Sequence, residues 1–164
     1  MKKLISIIIP MYNEEESLPY LYDRLTKLAD KIENYNMEFL FVNDGSKDNS
    51  LNIVKEYKKS DERVCYLNLS RNFGKEVAMA AALDYVRGDV VAIIDADLQD
   101  PPELIIDMLK YYEEGYDDVY AKRKSRKGET VLKKFTSHTF YRVLRSVSKV
   151  PIQEDTGDFR LLSR

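Results

Sequence analysis

Cysteine occurs once in the 164 residues, at Cys65, and histidine once, at His138. A single cysteine excludes an internal disulfide, so the fold must be held by an ordinary core, as suits a reducing compartment. Cys65 lies in the apolar run Val64-Cys65-Tyr66-Leu67 and reads as an inert core thiol. His138 falls in a helical stretch and reads as structural. No apolar run approaches the length that spans a bilayer. The segment Leu4 to Pro10 behind Met1-Lys2-Lys3 is too short for a signal peptide, so the chain as given reads as soluble. Repeats, low-complexity tracts and Gly/Ser linkers are absent. No glycine-rich phosphate loop follows the first apolar run, which argues against a sugar nucleotidyltransferase. The formal net charge of -2 excludes a protein whose main task is coating nucleic acid.

What is present suits one globular domain over residues 1–164. Hydrophobic residues at 44% can form a core, and the length is too small for two domains. Short β-branched runs, Leu4 to Ile9, Glu38 to Val42, Val64 to Leu69, Val90 to Ile94 and Asp118 to Tyr120, read as strands. Most are apolar throughout, as parallel strands covered on both faces are. Between them, Leu18, Leu21, Leu25, Leu28, Ala29 and Ile32 follow helical spacing, as do Leu51, Val54 and Tyr57, and then Ala78, Ala81, Ala82, Tyr85 and Val86. A fourth helix is expected to start with Asp100 as cap, Pro101 at its first position and Glu103 completing a capping box, and to stop at Gly115. A last, basic helix is expected over 129–149. The strand–helix alternation implies an α/β fold with right-handed crossovers and a largely parallel sheet.

In such sheets ligands bind outside the carboxyl ends of the strands. Those positions hold Pro10 to Glu14, Asn43 to Ser46, Ser70 to Lys75, Asp95 to Asp100 and Lys122 to Lys124. Five polar, turn-forming or charged loops converging on one edge predict a polar ligand site there. Asp95-Ala96-Asp97 can turn two carboxylates toward one cation, and Gln99 can add a neutral oxygen. A bare D-x-D is unspecific, because loop aspartates often cap helices. Asp44 either accepts a hydrogen bond from a nucleobase N–H or only forms an Asp-Gly turn. Tyr12 either stacks on a base or is a plain loop tyrosine. Glu14 either binds a ribose hydroxyl or favours a helix N-terminus. Lys75 and Arg123 can stabilise charge developing on a phosphate leaving group, although the basic run around Arg123 also reads as a solvated loop. Asp158, in Gly157-Asp158-Phe159-Arg160, can serve as a base or positioning group for an incoming nucleophile.

Together, Ile7 to Glu14, Val42 to Ser46, Asp95 to Glu103 and Gly157 to Arg160 resemble family 2 glycosyltransferases. Ser70 to Glu76 and the Leu-Gln-Asp-Pro-Pro-Glu run narrow the likeness to the polyprenyl-phosphate branch, which holds dolichol-phosphate mannose synthase-like enzymes and bactoprenol glucosyltransferases. The resemblance implies a GT-A, Rossmann-like fold that binds a nucleotide-sugar. It implies an inverting, metal-dependent transfer of a hexose, glucose foremost, from a UDP-sugar rather than a GDP-sugar to undecaprenyl phosphate. Pro10, Tyr12, Glu14 and Asp44 would meet the nucleoside, and Asn13 and Ala96 would also border the donor. Asp95 and Asp97 would handle ribose, diphosphate and Mg²⁺ or Mn²⁺, with Gln99 a further ligand. Lys75 and Arg123 would meet phosphate, Asp97 would share in catalysis, and Asp158 would face the acceptor. Relatives of this branch continue into transmembrane helices, so the resemblance implies a chain truncated at its C-terminus. The full protein is expected at the cytoplasmic face of the inner membrane. The basic residues Lys133, Lys134, Arg142, Arg145 and Lys149 either approach anionic lipid or form a solvated face. A saccharide acceptor, a non-catalytic nucleotide-sugar-binding module and a homo-oligomer stay open as alternatives.

Overall fold

The computed structural model describes residues 2–122 and 156–164. In chain order the elements are β1 (Lys3–Met11), α1 (Leu18–Lys31), β2 (Tyr35–Asn43), α2 (Ser50–Ser60), β3 (Val64–Asn68), α3 (Lys75–Leu83), β4 (Val90–Ile93), α4 (Leu104–Glu113), β5 (Asp118–Lys122) and β6 (Thr156–Ser163). They build one six-stranded sheet in the order β3-β2-β1-β4-β6-β5. β1 pairs in parallel with β2 and β4, and β2 with β3, whereas β6 runs antiparallel to β4.

The central strands are buried on both faces, which is why they lack an alternating pattern. Ile5 to Met11 of β1 and Met37 to Asn43 of β2 are buried without a break. Ile7, Ile8 and Ile9 are each fully buried, contributing roughly 1.5–3 kcal/mol apiece. On α1, Leu18, Leu21, Leu25 and Leu28 form one apolar stripe. On α3 the buried residues are Ala78 and Ala82. Their small side chains let the helix press onto Ile8, Leu40, Val42, Val91 and Ile93.

Four local expectations are corrected. α4 begins at Leu104, not at Pro101, with Glu103 rather than Asp100 in the N-cap position; Leu104 and Ile105 N–H groups bond Pro101 and Pro102 carbonyls at 3.1 Å in a tighter turn. The Glu103 carboxylate faces the Arg24 guanidinium of α1, a two-pronged ionic bond that outweighs a reach back to one backbone N–H. α3 ends at Leu83, leaving Tyr85 64% exposed beyond it. Cys65 is half-buried, with Arg87 Nη2 3.8 Å from its sulfur. Gly157 to Arg160, given no secondary structure from the sequence, lie on β6, where buried Phe159 and Leu161 alternate with half-buried Arg160 and Leu162.

Among the described residues, one charged group lies inside the sheet. Glu38 of β2 is 4% exposed and pairs in register with Ser6 of β1. Its Oε1 accepts hydrogen bonds from Ser6 Oγ (2.5 Å) and the Arg87 N–H (3.0 Å), and its Oε2 from the Arg87 guanidinium. Burial alone pushes this carboxyl up. The hydrogen bonds from Ser6 and Arg87, with the guanidinium charge, outweigh that and hold it below the ordinary carboxylate value.

The chain divides into two compact units, Met1–Tyr120 with Asp158–Arg164, and Ala121–Gly157. The expected basic helix at 129–149 and His138 lie outside the described residues. Among the described residues no helix is long and apolar enough to cross a membrane.

Candidate active site

The carboxyl ends of β1, β2 and β4 open onto a cleft of about 340 Å³. β1 contributes Pro10 and Met11 and the following loop contributes Tyr12 and Glu14; Asp44 follows β2; Asp95, Ala96 and Asp97 follow β4. The fourth wall is the loop into α3, with Asn72, Gly74 and Lys75. Pro10, Tyr12, Glu14, Asp44, Lys75, Asp95, Ala96 and Asp97 thus line one cleft. Met11, Asn72 and Gly74 were not anticipated as lining, although their loops were.

Interlocking hydrogen bonds fix the loops. Asn13 takes a left-handed turn (φ 57°), a conformation asparagine tolerates. Its N–H donates to Ser46 Oγ at 3.0 Å, and its side-chain oxygen accepts from the Lys47 N–H at 2.8 Å. The Glu14 N–H donates to Ser50 Oγ, and the Glu15 N–H to Asp48 Oδ2. Burial pushes the Asp48 carboxyl up, but hydrogen bonds from Ser50 and from the Glu15 backbone hold it below its ordinary value. Asn13 therefore staples two loops and lines a second, more open depression beside the cleft rather than the cleft itself. Glu14 lines both, and its carboxylate accepts from Ser17 Oγ at 2.6 Å.

Asp44 is 3% exposed. Its two oxygens accept the N–H groups of Phe73 (2.8 Å) and Gly74 (2.9 Å), so it fastens the loop leading into α3. Each carboxylate oxygen keeps a second lone pair, leaving capacity for a donor from a ligand. Gly45 is pressed under that loop: a Cβ there would stand 2.5 Å from the Arg71 carbonyl carbon, and φ is +71°. Gly74 has φ 99° and ψ 153°, a region essentially reserved for glycine. Lys75, the first residue of α3, extends its ammonium to Asp95 Oδ1 at 2.5 Å.

The acidic stretch after β4 turns at Leu98, whose φ of 61° is unusual for a bulky side chain. The turn brings the Gln99 N–H onto Asp97 Oδ1 at 3.0 Å. Asp97 and Gln99 are exposed and Asp95 half-buried; Gln99 is not among the residues lining the cleft. Among the described residues no group of three or more Asp, Glu, His or Cys is assembled as an all-protein metal cage. The donor set nevertheless fits a hard divalent ion. Mg²⁺ and Mn²⁺ are commonly held by one or two carboxylates plus substrate phosphates, and Asp95 already carries a cationic group on its oxygen. Arg123 lies outside the described residues. Asp158 is on β6, and its side chain also lies outside them.

The family model described as glycosyl transferase family 2 matches residues 6–164. The chain is 50% identical over 97% of its length to the uncharacterized glycosyltransferase YkcC of Bacillus subtilis, of which it covers 49%. It is 42% identical over 98% of its length to the bactoprenol glucosyl transferase of Shigella phage SfX, of which it covers 52%. The chain thus spans about half the length of these curated relatives. Among solved structures, S. aureus TarS in complex with UDP-GlcNAc is similar at a TM-score of 0.60 and 29% identity, over 80% of this chain and 37% of that one. The mannosyltransferase PcManGT of Pyrobaculum calidifontis, with GDP-Man and Mn²⁺, is similar in fold at a TM-score of 0.67 and 22% identity, over 100% of this chain and 45% of that one. With a mostly parallel mixed sheet and its acidic pair at the end of β4, the chain belongs to glycosyltransferase family 2 and has the GT-A fold.

Proposed function

We propose that this chain is the nucleotide-sugar-binding catalytic domain of an inverting glycosyltransferase that moves glucose from UDP-glucose to polyprenyl phosphate at the cytoplasmic face of the membrane. The observation that carries the reading is the meeting of Asp95 and Asp97 with Tyr12, Glu14 and Asp44 in one cleft. That places groups suited to diphosphate chemistry beside groups suited to a nucleoside. The relative named bactoprenol glucosyl transferase supports the acceptor class, and the TarS complex with UDP-GlcNAc supports a uridine donor.

In this reading the Tyr12 ring, 39% exposed, packs against the base. The spare lone pairs of Asp44 accept from a ring N–H, and Glu14 accepts from a ribose hydroxyl. Asp95 and Asp97 hold Mg²⁺ or Mn²⁺, which when bound supplies Lewis-acid neutralisation of the leaving diphosphate. The Lys75 ammonium adds positive charge on the same side of the cleft, and Arg123 is assigned to phosphate. An oxygen of the acceptor phosphate attacks the anomeric carbon opposite the departing diphosphate oxygen, so one C–O bond forms as another breaks and the configuration inverts. Because that acceptor is already ionised, Asp158 orients it rather than removing a proton.

Thermal unfolding with UDP, GDP and Mn²⁺ in all combinations tests the donor side, since a ligand that binds only the folded state raises its stability. UDP with Mn²⁺ is expected to raise Tm most. No shift with either nucleotide at saturating metal contradicts the reading. Transfer of labelled glucose to undecaprenyl phosphate, compared with an oligosaccharide, tests the acceptor; label appearing on the oligosaccharide alone contradicts the proposed class.

A further inference from the structure

We propose that Lys75 is an internal counter-ion that reserves Asp95 until a nucleotide diphosphate arrives, so that metal and nucleotide bind as a coupled pair. The inference rests on the reading of the cleft just given. Lys75 Nζ stands 2.5 Å from Asp95 Oδ1, and both side chains are about one-third exposed, at 34% and 30%. The two side chains are thus partly open to solvent, although Asp95 Oδ1 itself is buried.

The backbone of Lys75 is held firmly at the start of α3. Gly74 directly before it is held by Asp44 and sits in a backbone region that side chains avoid. Ala78 and Ala82 behind it seat α3 on the sheet. A four-carbon stem on such an anchor swings its charge over several ångströms without moving the helix.

Charge balance gives the direction. Asp95 and Asp97 with Lys75 sum to a single negative charge, which Glu14 and Asp44 of the same lining raise to three, yet a divalent cation entering alone would still meet an ammonium on one of its two ligands. A diphosphate offers Lys75 another anionic partner within the same cleft. Once the ammonium transfers to it, both carboxylates are released to the metal. Linkage then requires that metal tightens nucleotide by the same factor as nucleotide tightens metal.

The test is a Mn²⁺ titration followed by the free-ion electron paramagnetic resonance signal, with and without UDP, on the wild-type chain, Lys75→Met, Lys75→Gln and Lys75→Arg. Without UDP, Lys75→Met and Lys75→Gln are expected to bind Mn²⁺ about 5- to 10-fold more tightly than wild type, the low end of site-to-site couplings because solvent screens a partly exposed pair. The strengthening of Mn²⁺ binding by UDP should shrink by the same factor in both variants and persist in Lys75→Arg. Wild type that shows UDP-coupled Mn²⁺ binding, with neutral variants that bind Mn²⁺ no better alone, overturns the inference and leaves the nucleotide reading standing. Wild type that binds neither Mn²⁺ nor UDP overturns both.

Discussion

Gly74 donates its N–H to Asp44 Oδ2 at 2.9 Å, tying the end of β2 to the start of α3. The Phe73 N–H sits on the other oxygen at 2.8 Å. A residue expected to read a nucleobase thus also holds the loop that positions Lys75. Asp44→Ala should cost about 2–3 kcal/mol, the worth of hydrogen bonds to a charged acceptor, and should lower UDP affinity as well. Hydrogen exchange at the Phe73 and Gly74 amides checks the link; unchanged protection there would refute it.

Gly45 and Gly115 separate backbone strain from crowding. Both have positive φ, but a Cβ at Gly45 meets Arg71 backbone at 2.5 Å, whereas nothing lies within 4 Å at Gly115. Gly45→Ala should destabilise by roughly 2–4 kcal/mol and Gly115→Ala by about 1 kcal/mol. Urea midpoints measure both, and equal losses would contradict the close approach of the 71–72 backbone to Gly45.

Glu38 sets a pH dependence with a definite sign. Its folded carboxyl lies below the unfolded value of 4.5, so its contribution is complete above that value and is lost as pH falls through the lower folded one. Wild type should exceed Glu38→Gln in stability at about pH 6, with the gap narrowing toward about pH 3. Asp61 and Glu103, held low in part by Arg63 and Arg24 respectively, add slopes of the same sign to both proteins and cancel in the difference. A gap that stays constant across this window would rule out the buried ion pair as its source.

Asp97 is exposed, and the Gln99 N–H is bonded to its carboxylate. Asp97→Ala should leave stability within about 0.5 kcal/mol of wild type, as surface substitutions do. It should remove the Mn²⁺-dependent part of the UDP-induced Tm shift. Retention of the full metal-dependent shift would take Asp97 out of the metal set.

The central strands, and with them the loops at their ends, were legible because those strands are apolar and buried on both faces. Ile5 to Met11 and Met37 to Asn43 are the clearest cases. Other features depend on distant partners. Glu38 reads as one polar residue in a strand, and only the register with Ser6 and the approach of Arg87 make it a buried ion pair. Glu103 looks like a capping-box residue until Arg24 of α1 is beside it. The alternation of Phe159 and Leu161 with Arg160 and Leu162 carries a strand signal for β6 that the reading of the acidic motif around Asp158 did not use. The pairing of Lys75 with Asp95 joins the start of a helix to the end of a strand 20 residues on, which no local pattern encodes.

A crystal structure of the chain with UDP and Mn²⁺ tests the central claim most directly. The account predicts uracil beside Tyr12 and Asp44, a cation between the Asp95 and Asp97 carboxylates, and the Lys75 ammonium moved from Asp95 to the diphosphate. Nucleotide bound away from this cleft, or a cleft left empty with Lys75 still on Asp95 at saturating UDP and Mn²⁺, would contradict it.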